Sequence, residues 1–244
     1  MLDIFGVEFV KDFWSTIGAL VLICGVLLIK MVRDFLISSF SKMLKKLMNR
    51  LTFRESVGVM RYIEDKLVEL RTQLSADRAY VQEFKNGEYF SAKNPIWRIF
   101  RTYEKCQDGI IYQSSTLKGE YVTAIFDIIE PVIIGTTRSK GVTIMDCSLC
   151  PLECKNRNTV IFNVDEMPHT ASKQMLLSHT VKLSIQTGIT ISGNVVGIVA
   201  LDFCDELSKT MVNDKEWLHN CCKLLNAYTA KIEYCLANPS KFKK

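Results

Sequence analysis

The residues from 181 to 203 alternate between apolar and polar in a way that is typical of a sheet. In residues 181–191, the apolar residues share one parity, and the polar residues other than Thr187 share the other. This alternation predicts a strand with one buried and one solvated face. Gly193-Asn194 then predicts a two-residue hairpin turn. Residues 195–203 are apolar at both parities, which predicts a central strand that is covered on both faces and paired antiparallel with the first.

Helical spacing of apolar residues marks three further segments. Residues 57–74 hold a three-four rhythm, which predicts a helix that forms a short parallel coiled coil, packs on its own sheet, or does both. The apolar positions of this helix are Val57, Met60, Ile63, Leu67, Leu70 and Leu74. Residues 121–134 and 217–235 predict a middle helix and a C-terminal helix.

Shorter signals complete the order of elements and define the fold class. The remaining predicted elements are a strand at 78–84 ended by a turn at Asn86-Gly87, a long connection at 88–120, short strands at 142–145 and 159–164, and a polar helical connector at 165–178. The fold class is therefore α+β, with an antiparallel sheet between two helical layers. We expect the two terminal helices on one face, and the middle helix and the loops, with room for a cavity, on the other.

The N-terminal part of the chain predicts a membrane anchor. Residues 13–29 carry no charge, and the apolar run reaches residue 32 if Lys30 extends its ammonium toward the headgroups. Residues 30–54 carry seven basic residues and one acidic residue, whereas residues 1–12 carry three acidic residues and one basic residue. The positive-inside rule therefore predicts a single-pass protein with its N-terminus outside and its C-terminal domain in the cytoplasm.

The charge and the cysteine count exclude two classes of protein. Most of the net charge of +5 comes from residues 30–54, so the rest of the chain is nearly neutral and predicts no nucleic-acid partner. Membrane lipid is instead the partner that the basic segment favours. Nine cysteines, an odd number, follow no cleavable signal pattern, which predicts reduced thiols rather than a secreted disulfide framework.

Three separated motifs resemble those of a GAF domain. They are LSADRAYVQEFKNGE, then RTYEKCQDGI, then GNVVGIVALDF, and the resemblance covers residues 52–238. It implies a six-stranded antiparallel sheet, a homodimer formed through the terminal helices, and a pocket of the kind that binds cyclic nucleotides, tetrapyrroles or other small molecules. Lys85 stands where many GAF domains carry histidine. The predicted domains are an outer N-terminus at 1–12, a transmembrane helix at 13–32, an amphipathic or coiled-coil stalk at 33–74, the GAF-like domain at 52–238 and a basic tail at 239–244.

Candidate ligand-binding residues follow from the resemblance. They are Asn86, Gly87, Tyr103 and Glu104. The alternative is structural, because Asn-Gly is an ordinary turn sequence and a tyrosine in a core needs only one partner for its hydroxyl.

A cysteine cluster is the second candidate site. Cys147, Cys150 and Cys154 have a spacing that lets three thiolates converge on one metal ion, with zinc ahead of an iron–sulfur cluster. A fourth ligand would come from His169, Cys106 or another chain. Two alternatives stay open, namely a redox-active thiol pair and small residues in a loop without such a role.

Three functions are consistent with these features. The first is a single-span membrane protein whose cytoplasmic GAF-like domain binds a small ligand or a protein partner and signals or assembles through its stalk, with a separate effector protein to deliver the response. Such short anchored chains resemble accessory or bacteriophage-encoded products. The second is a membrane-tethered dimerising scaffold without a ligand. The third is a thiol-based redox enzyme, similar in chemistry to the methionine sulfoxide reductases, although no catalytic dyad or triad is present around His169 or His179.

Overall fold

The computed structural model describes most of the chain beyond residue 55. The described residues are 28, 30–35, 37–39, 56–90, 94–113, 119–137, 139–145, 157–206 and 211–242. The chain divides into two compact units, Met1–Arg54 and Glu55–Lys244. In the first unit the described residues are helical. Most of the predicted span at 13–32 lies outside the described residues, and within the described part no helix has the length and apolar character needed to cross a bilayer.

The second unit alternates helices with strands. Helix α1 covers residues 56–74. The strands are β1 (Arg78–Phe90), β2 (Asn94–Cys106), β3 (Glu120–Tyr121), β4 (Val142–Met145), β5 (Thr159–Asn163), β6 (Leu183–Ile191) and β7 (Asn194–Phe203). The other helices are a 3₁₀ helix (Val122–Ile125), α2 (Phe126–Ile134), α3 (Ala171–Ser178), α4 (Lys215–Ala237) and a second 3₁₀ helix (Pro239–Phe242).

The strands form one antiparallel sheet, as the α+β prediction requires. Its order is β3-β2-β1-β7-β6-β5-β4, so that β7 is the fourth of seven strands and lies at the centre. The central position of β7 and its antiparallel pairing with β6 are confirmed. The described residues form seven strands instead of the six expected, because the two residues of β3 pair with β2 through Arg98 and Ile99.

Each face of the sheet carries its own hydrophobic core. On one face, α1 and α4 pack on the alternate strand residues that include Val81, Ile185 and Leu201. We call this side the α1/α4 face. On the other face, α2 and α3 pack on residues that include Phe162 and Ile198, and we call it the α2/α3 face. The predicted division of the helices between the two faces is therefore confirmed.

The apolar positions of helix α1 pack mainly on the sheet of its own domain. Ile63, Leu67 and Leu70 are fully buried against the sheet. Val57 and Met60, at the start of the same rhythm, are 40% and 45% exposed. The packing of this helix on its own sheet is thus confirmed, and a coiled coil through the first turns of α1 stays a prediction.

The turn predicted at Asn86-Gly87 is wrong. Strand β1 continues to Phe90 and pairs with β2 along a long hairpin, which also replaces much of the connection predicted at 88–120. The register shifts between Asn86 and Glu88, so Gly87 lies at an irregularity within a strand. Asn-Gly suits a bulge as well as a turn, because both use backbone angles that few other residues adopt.

The turn between β6 and β7 is placed one residue earlier than predicted. Ser192 and Gly193 have φ angles of 51° and 81°, the positive values of a tight hairpin turn. Asn194 is already paired with Ile191 as the first residue of β7. The solvated face predicted for β6 is also wrong, since the polar residues Ser184 and Gln186 are buried.

Candidate functional site

Two arginines and two carboxylates lie buried together on the α2/α3 face. The Nη1 atom of Arg78 lies 3.0 Å from Oδ2 of Asp202, and its Nε atom lies 3.2 Å from Oε1 of Glu104. Arg101 donates from Nη1 to the same Oε1 atom of Glu104 at 2.8 Å. We call these four residues the charge cluster. Its positive and negative charges balance, which is the condition under which buried ions are tolerated.

Neighbouring polar groups saturate the two carboxylates. Tyr80 and Ser184 donate from their hydroxyls to Oδ1 of Asp202 at 3.2 and 2.8 Å. The backbone N–H of Gln113 donates to Oε2 of Glu104 at 2.6 Å. Burial raises the pKa of the Tyr80 phenol, which therefore stays protonated and remains a donor. The charge cluster thereby joins β2, β1, β7 and β6 through side chains as well as through the backbone.

The thiols beside the charge cluster are not activated. Cys106 ends β2 and Cys204 follows β7, and both are free and half-buried. Burial raises the pKa of the Cys204 thiol to about 11, and burial also raises the pKa of Cys106. Both thiols are therefore protonated at neutral pH, and a protonated thiol is a poor nucleophile.

His179, at the C-terminal end of α3, is expected to contribute to the acid sensitivity of folding. Burial, together with the positive charges of Arg101 and Arg78, lowers the pKa of His179 in the folded state. In the unfolded chain the imidazole has a pKa of about 6.5, so at low pH the unfolded state binds more protons than the folded state. The contribution of His179 to the free energy of unfolding is therefore fully present above about pH 6.5 and is lost as the pH falls below this value. We expect the urea midpoint of the native protein to fall more between pH 7.5 and pH 5.5 than that of His179→Gln. Parallel pH profiles of the two proteins would contradict this prediction.

A cleft opens on the α2/α3 face where β1 and β7 diverge. The pairing of these strands runs from Arg78 opposite Asp202 to Glu83 opposite Gly197. Beyond Glu83, β1 follows β2 to Phe90, whereas β7 stays paired with β6 to its first residue. The resulting space has a volume of about 160 Å³, and we call it the fork cleft. It is lined by Phe84, Trp97, Val122, Ile133 and Val195.

The fork cleft is apolar and open to solvent. Every lining side chain is a hydrocarbon or an aromatic ring, and Trp97 and Ile133 are 45% and 40% exposed. Tyr121 and Phe126 add exposed rings close by in sequence, in β3 and at the start of α2. A cavity of about 150 Å³ with such a lining holds one benzene molecule. The fork cleft is therefore matched to one ring-sized apolar group.

The residues predicted to bind a ligand lie in different places. Asn86 is exposed and pairs across the hairpin with Trp97, which puts it at the rim of the fork cleft. Gly87 is the neighbouring residue at the register shift. Glu104 belongs to the charge cluster, whereas Tyr103 packs against the core of the α1/α4 face. Successive strand residues point to opposite faces, so the structure separates Tyr103 from Glu104. Ligand contact by these four residues stays a prediction.

The residues that line the fork cleft were not predicted from the sequence. They come from β1, β2, the first 3₁₀ helix, α2 and β7, and each resembles an ordinary core residue in its own segment. The signal that was available was Trp97, a large aromatic residue in a stretch without regular period.

The predicted metal site lies outside the described residues. This applies to Cys147, Cys150 and Cys154, so zinc binding stays a prediction. Of the proposed fourth ligands, His169 is exposed in the turn before α3, and Cys106 is half-buried at the end of β2. Within the described ranges, no three histidine, cysteine or acidic side chains form a group suited to a metal ion.

Comparisons with known proteins identify similar folds at low similarity. No protein-family model and no curated protein sequence matches the chain. Among solved structures, the phycoerythrobilin-bound GAF domain of a cyanobacterial phytochrome is 15% identical, with a TM-score of 0.37, over 78% of this chain and 97% of that one. The photoproduct state of GAF3 from Slr1393 of Synechocystis sp. is 9% identical, with a TM-score of 0.44, over 76% and 99%. NreA of Staphylococcus aureus, mutated in its nitrate binding site, is 12% identical, with a TM-score of 0.31, over 59% and 85%. With TM-scores below 0.5, these likenesses identify no ligand for this chain.

Proposed function

We propose that this chain is a sensory domain of the GAF-like class that binds a small ligand or a protein partner through one ring-sized apolar group in the fork cleft. The observation that carries the proposal is the cleft itself, an open apolar space of about 160 Å³ between two diverging strands. An apolar lining that faces water costs free energy, and a ligand that covers it recovers that free energy.

The surroundings of the fork cleft support binding rather than simple packing. The charge cluster fixes β1 against β7 at Arg78 and Asp202, and the backbone pairing continues from there to Glu83 and Gly197, where the two strands diverge. A binding site on strands that are held in this way keeps its shape without the ligand, which reduces the entropy cost of binding. Trp97 and Ile133 remain exposed, so a ligand reaches the cleft directly from solvent.

The sequence supplies the context for this function. We place the domain in the cytoplasm, tethered by residues 13–32 as a membrane span, with the stalk and a homodimer connecting ligand occupancy to a separate effector protein. The supporting observations are the uncharged run at 13–29 and the basic segment at 30–54. Recovery of the full chain in the soluble fraction after cell lysis would contradict the tether.

Fluorine NMR of the full chain tests binding in the fork cleft. The chain contains three tryptophans, so labelling with 5-fluorotryptophan gives three signals, of which Trp97→Phe identifies one. On titration with toluene we expect the Trp97 signal to shift saturably, with a dissociation constant on the order of 1 mM, while the other two stay in place.

Two matched variants make this experiment specific. Val195→Phe fills the fork cleft and should abolish the shift of Trp97. Val196→Phe adds the same ring one residue later, where the side chain packs on the α1/α4 face, and should leave the shift intact. A Trp97 signal that stays fixed, or that moves equally in both variants, would refute the proposal.

A further inference from the structure

Strand β1 has a long edge that is not covered by any of the seven described strands. Of its 13 residues, only Arg78 to Glu83 pair with β7. Residues 84–90 pair with β2 on one side, and no strand in the described part of the chain pairs with them on the other. The backbone N–H and C=O groups of such an edge need hydrogen-bond partners, so the edge is a template for an added strand.

The free edge and the fork cleft lie side by side. Phe84 belongs to both, since it is the first residue beyond the part of β1 that pairs with β7, and it also lines the cleft. Side chains of an extended chain alternate between two faces, so a strand added beside residues 84–90 directs every second side chain to the α2/α3 face. The cleft on that face accepts one ring-sized side chain.

The opposite face of the same edge carries two basic residues and one acidic residue. Lys85 pairs with Arg98 across the hairpin, and both point away from the face that Phe84 occupies. The Lys85 side chain is 54% exposed, and its Nζ atom lies 3.6 Å from Oε2 of Glu83, which leaves one net positive charge among these three side chains. An acidic residue on either side of the aromatic one would therefore meet a positive charge on this face.

We propose that the ligand of the fork cleft is an extended peptide segment of a partner protein, in which an aromatic residue is flanked by acidic residues. The peptide pairs with the free edge of β1 beyond Glu83 and places its aromatic ring in the cleft. This assignment rests on the proposed function, because it names the ligand class of the same site.

Four probes separate the contributions of the ring and the backbone. They are toluene, the peptide acetyl-Thr-Glu-Phe-Glu-Thr-amide, and two N-methylated forms of this peptide, one methylated on both glutamates and the other on phenylalanine and the last threonine. Alternate amides of an added strand point toward β1 and away from it, so one methylated form loses the hydrogen bonds to the edge and the other keeps them.

The readout is the ¹⁹F signal of Trp97 in the full chain. We expect the unmodified peptide to bind at least about tenfold more tightly than toluene, and one methylated form to lose at least about tenfold in affinity while the other retains it. Lys85→Glu should weaken the peptide and leave toluene unchanged. If toluene saturates the site but the peptide binds no more tightly, or if both methylated forms bind like the parent, the peptide assignment is overturned and the apolar site remains. If no probe shifts Trp97, both proposals fail.

Discussion

Replacing Asp202 by alanine is expected to lower the free energy of unfolding by about 3–5 kcal/mol. The carboxylate accepts from Arg78, Tyr80 and Ser184, and the Arg78 side chain is only 2% exposed. Removal of Asp202 leaves a buried guanidinium with Glu104 as its remaining ionic partner, although Glu104 already serves Arg101. Urea denaturation of the full chain, followed by circular dichroism, measures the change.

Two further substitutions show whether the charge cluster is responsible. Asp108→Ala removes a carboxylate from an exposed turn and should change the free energy of unfolding by no more than about 0.5 kcal/mol. The double substitution Arg78→Met with Asp202→Leu removes both members of the pair and should cost less than Asp202→Ala alone, because apolar side chains leave no unpaired charge. An Asp202→Ala protein within about 1 kcal/mol of the native one would contradict this account.

Gly197→Ala should also be strongly destabilising, by about 3 kcal/mol. A Cβ atom at this position would lie 2.3 Å from the backbone oxygen of Gln82 in β1. Because the obstructing atom belongs to the backbone of a central strand, only separation of β1 from β7 relieves the clash. The urea midpoint reports the cost, and loss of the saturable toluene shift at Trp97 would show that the fork cleft changes with it.

A neighbouring glycine provides the control for Gly197. At Gly188 in β6, an added Cβ would lie 3.4 Å from a Val195 methyl group, the short end of ordinary contact, so Gly188→Ala should cost much less. Equal effects of the two substitutions would mean that the lost flexibility of glycine, rather than the close approach of β1 to β7, determines the stability.

The sheet and its two helical layers could be predicted because each depends on local periodicity. The apolar rhythm of α1, the alternation in β6 and the apolar run of β7 are read from neighbouring residues alone. The burial of Ser184 and Gln186 could not be read in this way. Polar residues at alternate positions of a strand are taken to face solvent unless their hydrogen-bond partners are known. The partner of Ser184 is Asp202, which lies on another strand.

The fork cleft could not be predicted from local periodicity for a related reason. Its existence depends on the residue at which β1 stops pairing with β7, which is a property of register between distant segments. The sequence Asn86-Gly87 favours a turn by residue type, and only the long hairpin with β2 makes it part of a strand. Asn86 lies opposite Trp97 at the rim, and its contact with a ligand stays a prediction.

The short join between α1 and β1 has a mechanical consequence. Only residues 75–77 separate the two elements, and each end of this join is fastened: Ala76 donates to the carbonyl of Arg71, and Asp77 accepts from the backbone N–H of Cys204. This short segment cannot absorb a shift or a rotation of α1 relative to β1. A force applied to α1 is therefore transmitted to Arg78, and through it to the four buried ions that hold the start of β1 against the end of β7.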